Sequence, residues 1–176
     1  MNADPQQLLK TFRKKPLADS AVTLISCNYK RDDIKKIIPH REPFLLVDSI
    51  TGIDLENQMI RGTRNCPADD PVFQGHFPGY PVFPGSLQLE SAGQMGLCLC
   101  YFLANRTTEV PATTQIMQVR ATKVLGAQFL EPVLPGSTME LISQRLQAES
   151  FFETYIGQVL VDRKICSVFI GEICIL

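Results

Sequence analysis

Two side chains that can move protons, His76 and Glu90, stand fourteen residues apart with Gly85 between them. An imidazole takes up a proton near neutral pH. A carboxyl set in an apolar helix wall is pushed toward its protonated form by desolvation, so it can give a proton. Gly85 falls where a helix begins. Free N–H groups and the positive end of the helix dipole would hold an oxygen that is gaining negative charge there. A residue without a Cβ lets a ligand approach that backbone closely. Base, acid and oxyanion donor are the parts needed to remove a proton α to a carbonyl and expel a β-hydroxyl. Gln94 lies one turn beyond Glu90 on the same helix face and could orient its carboxyl by a hydrogen bond.

The elements that must position these groups follow from local signals. His76 sits in an irregular loop, residues 67–84, with three prolines (Pro78, Pro81, Pro84) and three glycines (Gly75, Gly79, Gly85) packed into and just beyond its second half. The punctuation stops at Gly85, and an apolar run predicts one helix of about five turns over 86–104. It is apolar nearly all round, so something encloses it. Before the loop, 44–53 and 58–66 read as two strands joined by a turn at 54–57, and 32–38 as a short helix stopped by Pro39. After the helix, 115–125, 137–148, 151–161 and 164–175 read as strands, with Asp162 and Arg163 forming a tight connection. One buried helix beside an antiparallel sheet is an α+β layout, the sheet wrapping the helix.

Residues 1–28 differ in character. A short helix over 5–15 would place Leu8, Leu9 and Phe12 on one face, with Lys10, Arg13 and Lys14 beside it, and Pro16 would end it. The segment reads as an N-terminal extension, either a surface helix or an arm that docks a partner or neighbouring subunit. The remainder, 29–176, reads as a single domain.

The chain has 17 basic and 18 acidic residues, so a nucleic-acid role has no electrostatic support. Its six cysteines form no CxxC pair and no Cys/His metal spacing. They read as reduced packing residues of a cytoplasmic protein. The N-terminus lacks a signal-peptide apolar block. Gln88, Glu90 and Gln94 interrupt the apolar helix, which makes it a core helix and not a membrane span.

Two blocks carry a family resemblance. The first is Pro39-His40-Arg41-Glu42-Pro43-Phe44-Leu45-Leu46-Val47-Asp48. The second is Gly75-His76-Phe77-Pro78-Gly79, then Pro81-Val82, Pro84-Gly85, Leu87, Glu90 and Gln94. A weaker echo follows at Phe129, Pro132-Val133, Pro135-Gly136 and Val161-Asp162. Together they resemble the β-hydroxyacyl-acyl carrier protein dehydratases of type II fatty acid synthesis, which have the hot-dog fold. The resemblance covers about residues 30–176. It implies that His76 is the catalytic base, that Glu90 acts as acid at the β-hydroxyl, and that the Gly85 amide polarises the thioester carbonyl. It implies no metal and no redox cofactor. The branch that also isomerises the double bond carries aspartate where this chain has Glu90, so dehydration without isomerisation is expected. The implied partner is an acyl carrier protein bearing a hydroxyacyl phosphopantetheine thioester. The implied assembly is a homodimer, with a trimer of such dimers as the larger alternative, in which His76 of one subunit faces Glu90 of the other.

The chain also departs from the family. Ser86, Ser91 and Gly93 stand where small apolar residues are usual. Tyr80 and Phe83 add two aromatic rings to the catalytic loop, as candidate substrate contacts. These features leave the substrate open, between bulk fatty acid synthesis and a specialised pathway such as polyene or polyketide-like lipid synthesis. His40 reads as structural or as part of a tunnel mouth. Arg41, Arg106, Arg120 and Lys123 could meet an acidic carrier protein, against the ordinary reading of solvated surface. Two other functions compete: a hot-dog thioesterase, which needs a carboxylate placed to activate water, and a non-catalytic acyl-binding subunit of a dehydratase complex.

Overall fold

The computed structural model describes residues 4–18 and 24–176. Among the described residues seven strands form one antiparallel sheet: β1 (Ile25–Lys30), β2 (Ser49–Asp54), β3 (Met59–Asn65), β4 (Val119–Phe129), β5 (Thr138–Glu149), β6 (Phe152–Val161) and β7 (Lys164–Ile175). Their order across the sheet is β1-β2-β3-β5-β6-β7-β4. The helices are α1 (Pro5–Phe12), α2 (Arg31–Ile37), the single-turn α3 (Val72–Gly75) and α4 (Gly85–Asn105). None of the described helices is long and apolar enough to cross a membrane.

The tight connections follow from backbone chemistry. Asp162 and Arg163 both take left-handed φ values, 48° and 66°, as a two-residue turn between twisted antiparallel strands requires. Ser150 does the same (φ 52°) between β5 and β6.

α4 lies across one face of the sheet, on β3, β5, β6 and β7. Its Met95, Cys98, Leu99 and Phe102 are fully enclosed among Ile50, Ile60, Leu141 and Val159. The helix is not enclosed all round, however. Leu89, Gly93 and Leu97, spaced one turn apart, stay half-buried and line an open apolar groove.

The opposite face of the sheet has its own apolar cluster, Met59, Ile142, Ile156, Leu160, Val168 and Ile170, closed by Leu9 of α1 and by Leu17. Burial holds most of the thiols in the protonated form: Cys66 and Cys100 are pushed up to about 12. All six cysteines are free.

Several boundaries differ from the sequence reading. β1 was not expected, and a division at 28/29 cuts it: Ile25 pairs with Ile53, and Lys30 with Ser49. Residues 44–48 are irregular, because β2 begins only at Ser49. The end of this stretch is tied to β3 by Asp48: its N–H donates to Thr63 O at 2.8 Å, and its carboxylate is held by Arg31 and by the Asn65 N–H at 2.6 Å. The strand expected at 115–125 begins four residues later. α1 ends at Phe12, short of the expected Lys15.

Candidate active site

His76 closes α3. Its backbone N–H donates to Val72 O at 3.2 Å, and Val82 N–H donates back to His76 O at 2.8 Å. Phe77 and Tyr80 bond one another across a turn whose Gly79 has φ +81°, a conformation that favours glycine. Phe83 N–H then donates to Val133 O at 2.8 Å, which fastens the loop to the segment after β4. The proline-rich stretch is therefore a pinned loop, and the imidazole has a fixed place in it.

The ring of His76 stacks on Phe77, 4.0 Å between centroids. Its Nδ1 lies 2.9 Å from Val82 O. A carbonyl oxygen can only accept, so Nδ1 carries the proton in the neutral ring. Nε2 keeps a free lone pair, the arrangement a general base needs.

Glu90 sits one turn into α4 at the rim of the apolar groove, a cavity of about 270 Å³ between α4 and strands β4 and β7. Its side chain is 35% exposed, so the carboxyl is more open in the single chain than the helix pattern suggests. Oε1 accepts from Gln94 Nε2 at 2.8 Å. Gln94 is itself 1% exposed, and its carboxamide is fully used: Nε2 also donates to Phe44 O, and Oε1 accepts from Leu46 N–H, each at 2.8 Å.

His40 completes this corner. Its Nε2 lies 3.5 Å from Glu90 Oε1. Nδ1 is buried without a partner, so a proton there would have no acceptor. The neutral ring is thus best satisfied with its proton on Nε2, facing Glu90. By sequence His40 reads as structural or tunnel-mouth, since no acid or nucleophile accompanies it there; the fold brings it to Glu90, fifty residues on.

The aromatic residues of the loop divide. Tyr80 is 63% exposed at the turn, whereas Phe83 is 3% exposed and packs edge-on against Phe73 in the core. Gly85 opens α4, where Leu87 and Gln88 N–H both donate to Pro84 O at 3.0 Å. The Gly85 and Ser86 amides have no acceptor within the helix. A Cβ on Gly85 would stand 2.6 Å from the Phe129 ring, so the space beside this backbone is taken by an aromatic side chain.

His76 and Glu90 do not meet within one chain. His76 lines a cavity of about 470 Å³ with Gly85, Phe129 and Pro132, while Glu90 lines the groove on the other side of Ser86. Among the described residues no hydrogen bond or ion pair links them, and no cluster of acidic, histidine or cysteine side chains could hold a metal ion.

The FabA-like domain family matches residues 38–168, a span that holds His40, His76, Gly85, Glu90 and Gln94. The chain belongs to this family of 3-hydroxyacyl-[acyl-carrier-protein] dehydratases. Among its relatives, the 3-hydroxyacyl-[acyl-carrier-protein] dehydratase FabZ of Sulfurimonas denitrificans is 42% identical over 130 residues, 74% of this chain and 85% of that protein. FabZ of Campylobacter jejuni is 36% identical over 129 residues, 73% of this chain and 85% of that protein. Solved structures share the fold at low identity. The dehydratase heterocomplex ApeI:P from Xenorhabdus doucetiae matches with TM-score 0.57 and 14% identity, over 81% of this chain and 90% of that one. The TT0310 protein from Thermus thermophilus matches with TM-score 0.52 and 17% identity, over 78% and 100%. The FabA-like match begins at residue 38, so α1 and β1 lie outside the span that defines the family.

Proposed function

We propose that this FabA-like dehydratase eliminates water from a (3R)-hydroxyacyl thioester on acyl carrier protein, with His76 as base and Glu90 as acid. His76 Nε2 takes the proton from the carbon α to the thioester carbonyl. The Gly85 N–H supports the charge that develops on the carbonyl oxygen. Glu90 gives a proton to the β-hydroxyl, which leaves as water, and the trans-2-enoyl thioester remains. Gln94 and His40 both meet Oε1, which leaves Oε2 to carry the proton that is delivered. The observation that carries the base assignment is Val82 O, which accepts the Nδ1–H and frees Nε2. His40 is a poor base by the same logic, since its Nε2–H faces Glu90 and its Nδ1 is buried.

The separation of His76 from Glu90 supports a site shared between two copies in a homodimer. β4 is an edge strand of eleven residues with Val124 and Phe129 more than half exposed. Long apolar edges of this kind call for a partner. A two-fold pairing would cover it together with the open stripe of α4, and would set His76 of one subunit against Glu90 of the other. Tyr80, exposed on the loop, would meet substrate or the second copy there. The free cysteines suit a reducing cytoplasm.

The test is complementation. His76→Ala and Glu90→Gln, each inactive alone, are unfolded and refolded together. Random mixing makes about half the dimers mixed, each with one intact site, so roughly a quarter of wild-type sites return. Background activity with mixed dimers present by mass spectrometry would rule out the shared site. Wild-type turnover by folded His76→Ala would rule out the base.

A further inference from the structure

We propose that the N-terminal arm and the β6–β7 turn together form a docking groove for the acidic carrier protein that delivers the thioester. This rests on the dehydratase reading above and adds a surface to it. Arg13 and Lys14, just past α1, and Arg163 and Lys164, at the turn, line one groove with Leu130 and Glu131. All four cations are exposed, and among the described residues none is in an ion pair. Glu131 in the groove and Asp162 in the turn are the acids beside them. The chain as a whole carries a net charge of −1, so the excess is local.

The arm is held in place by a device with no other evident use. Gln158 of β6 is 0% exposed on the sheet face beneath it. Its Nε2 donates to Phe12 O and, at 2.9 Å, to Lys15 O, while its Oε1 accepts from Leu17 N–H at 2.7 Å. A buried carboxamide is costly unless every polar atom is satisfied, and here the arm's backbone alone satisfies it. The clamp grips both sides of Arg13 and Lys14 and so holds them at the groove they share with Arg163 and Lys164.

Position decides the partner. Leu130 and Glu131 also line the cavity that holds His76 and Gly85, so the basic groove adjoins that cavity at this segment. A carrier seated on the groove would have its anionic phosphodiester and acidic surface on the cations and its thioester arm directed at His76. Such complementarity mainly speeds encounter. A lipid surface fits less well, because α1 has spent Leu9 on the sheet face and keeps Leu8 and Phe12 packed against the same cluster. Of the four cations expected to meet the carrier, Arg106 and Arg120 are exposed but line neither this groove nor the His76 cavity, and Arg41 and Lys123 are occupied elsewhere. Arg41 donates to the carbonyls of Lys35 and Ile38 at the end of α2, and Lys123 pairs with Glu172 at 3.2 Å.

The experiment compares wild type with Arg13→Glu/Lys14→Glu on a 3-hydroxybutyryl carrier protein and on 3-hydroxybutyryl-N-acetylcysteamine at low ionic strength. Binding of fluorescently labelled holo-carrier protein is read in parallel by anisotropy. For the variant, kcat/KM on the carrier substrate should fall about tenfold, the combined effect of reversed rim charges, with carrier binding weakened alike. Turnover of the small thioester should stay within about twofold, and added salt should erase the difference between the proteins. Arg163→Glu/Lys164→Glu, which leaves the arm intact, should behave the same way. Unchanged carrier kinetics and binding would overturn the proposal. So would an equal loss on both substrates, which would make the arm a packing element only. Binding to phosphatidylglycerol vesicles that is lost in the variant while carrier binding persists would assign the groove to a membrane instead. If wild type forms enoyl product from neither thioester, the dehydratase reading fails, and the anisotropy result alone then decides the docking groove.

Discussion

Oε1 of Glu90 is met from two directions, by Gln94 Nε2 at 2.8 Å on its own helix and by His40 Nε2 at 3.5 Å from the segment after α2. The Glu90 carboxyl is thus held by one residue four positions away and by another fifty positions away. The second contact involves a side chain whose titration ties the fold's stability to pH.

Burial holds His40 below its ordinary value of 6.5; the Glu90 charge opposes this and Arg41 reinforces it. The unfolded chain therefore takes up this proton at a higher pH than the folded one. Stability from His40 is fully present above 6.5 and is lost as pH falls through the lower folded value. Urea unfolding of wild type and His40→Gln between about pH 5 and 8 should show the wild type losing stability more steeply on the acid side. Identical slopes would show that the imidazole is solvated as freely as in the unfolded chain.

Gln94→Leu should damage both fold and site. It leaves the buried Leu46 N–H without an acceptor, strips the partly buried Phe44 C=O of its donor and takes one donor from Glu90. One buried unsatisfied group costs roughly 1–3 kcal/mol. The melting temperature should drop by about 2–12 °C for a chain of this size. A loss below about 0.5 kcal/mol would mean that water replaces the carboxamide.

Gly85→Ala should separate activity from stability. The new Cβ meets the Phe129 ring at 2.6 Å, and that ring is 56% exposed and free to swing away. Unfolding free energy should stay within about 1 kcal/mol of wild type. Turnover should fall by up to roughly 10²-fold as the cavity beside His76 is rearranged. Full activity would show that neither Phe129 nor the close approach at Gly85 matters to the reaction.

Leu9→Ala tests the arm as a structural cover. Leu9 is 1% exposed in the second apolar cluster, and Gly126 on β4 lacks a Cβ where one would stand 2.5 Å from Leu9 Cδ1. Removing that side chain should cost about 2–4 kcal/mol, and a chain that begins at residue 24 should be poorly soluble because the cluster is uncovered. Unchanged melting of Leu9→Ala would show the arm to be peripheral.

What could be read directly from the residues was local. Gly85, Glu90 and Gln94 share one helix whose apolar run and Pro-Gly start announce it, and the i, i+4 spacing of Glu90 and Gln94 is enough to bring them together. The strands around Asp162-Arg163 were legible for the same reason, since alternation and a two-residue turn are written in consecutive positions. The tertiary structure alone decided what each face packs against. β1 was invisible because its burial is patchy and its partner, β2, lies some twenty residues on. The arm looked detachable because Leu17 finds its acceptor in Gln158, 141 residues away, and His40 looked idle because Glu90 is reached only through the fold. Hydrophobic period records that a face is buried but does not name the neighbour, and a polar side chain does not reveal its partner until the chain has closed on itself.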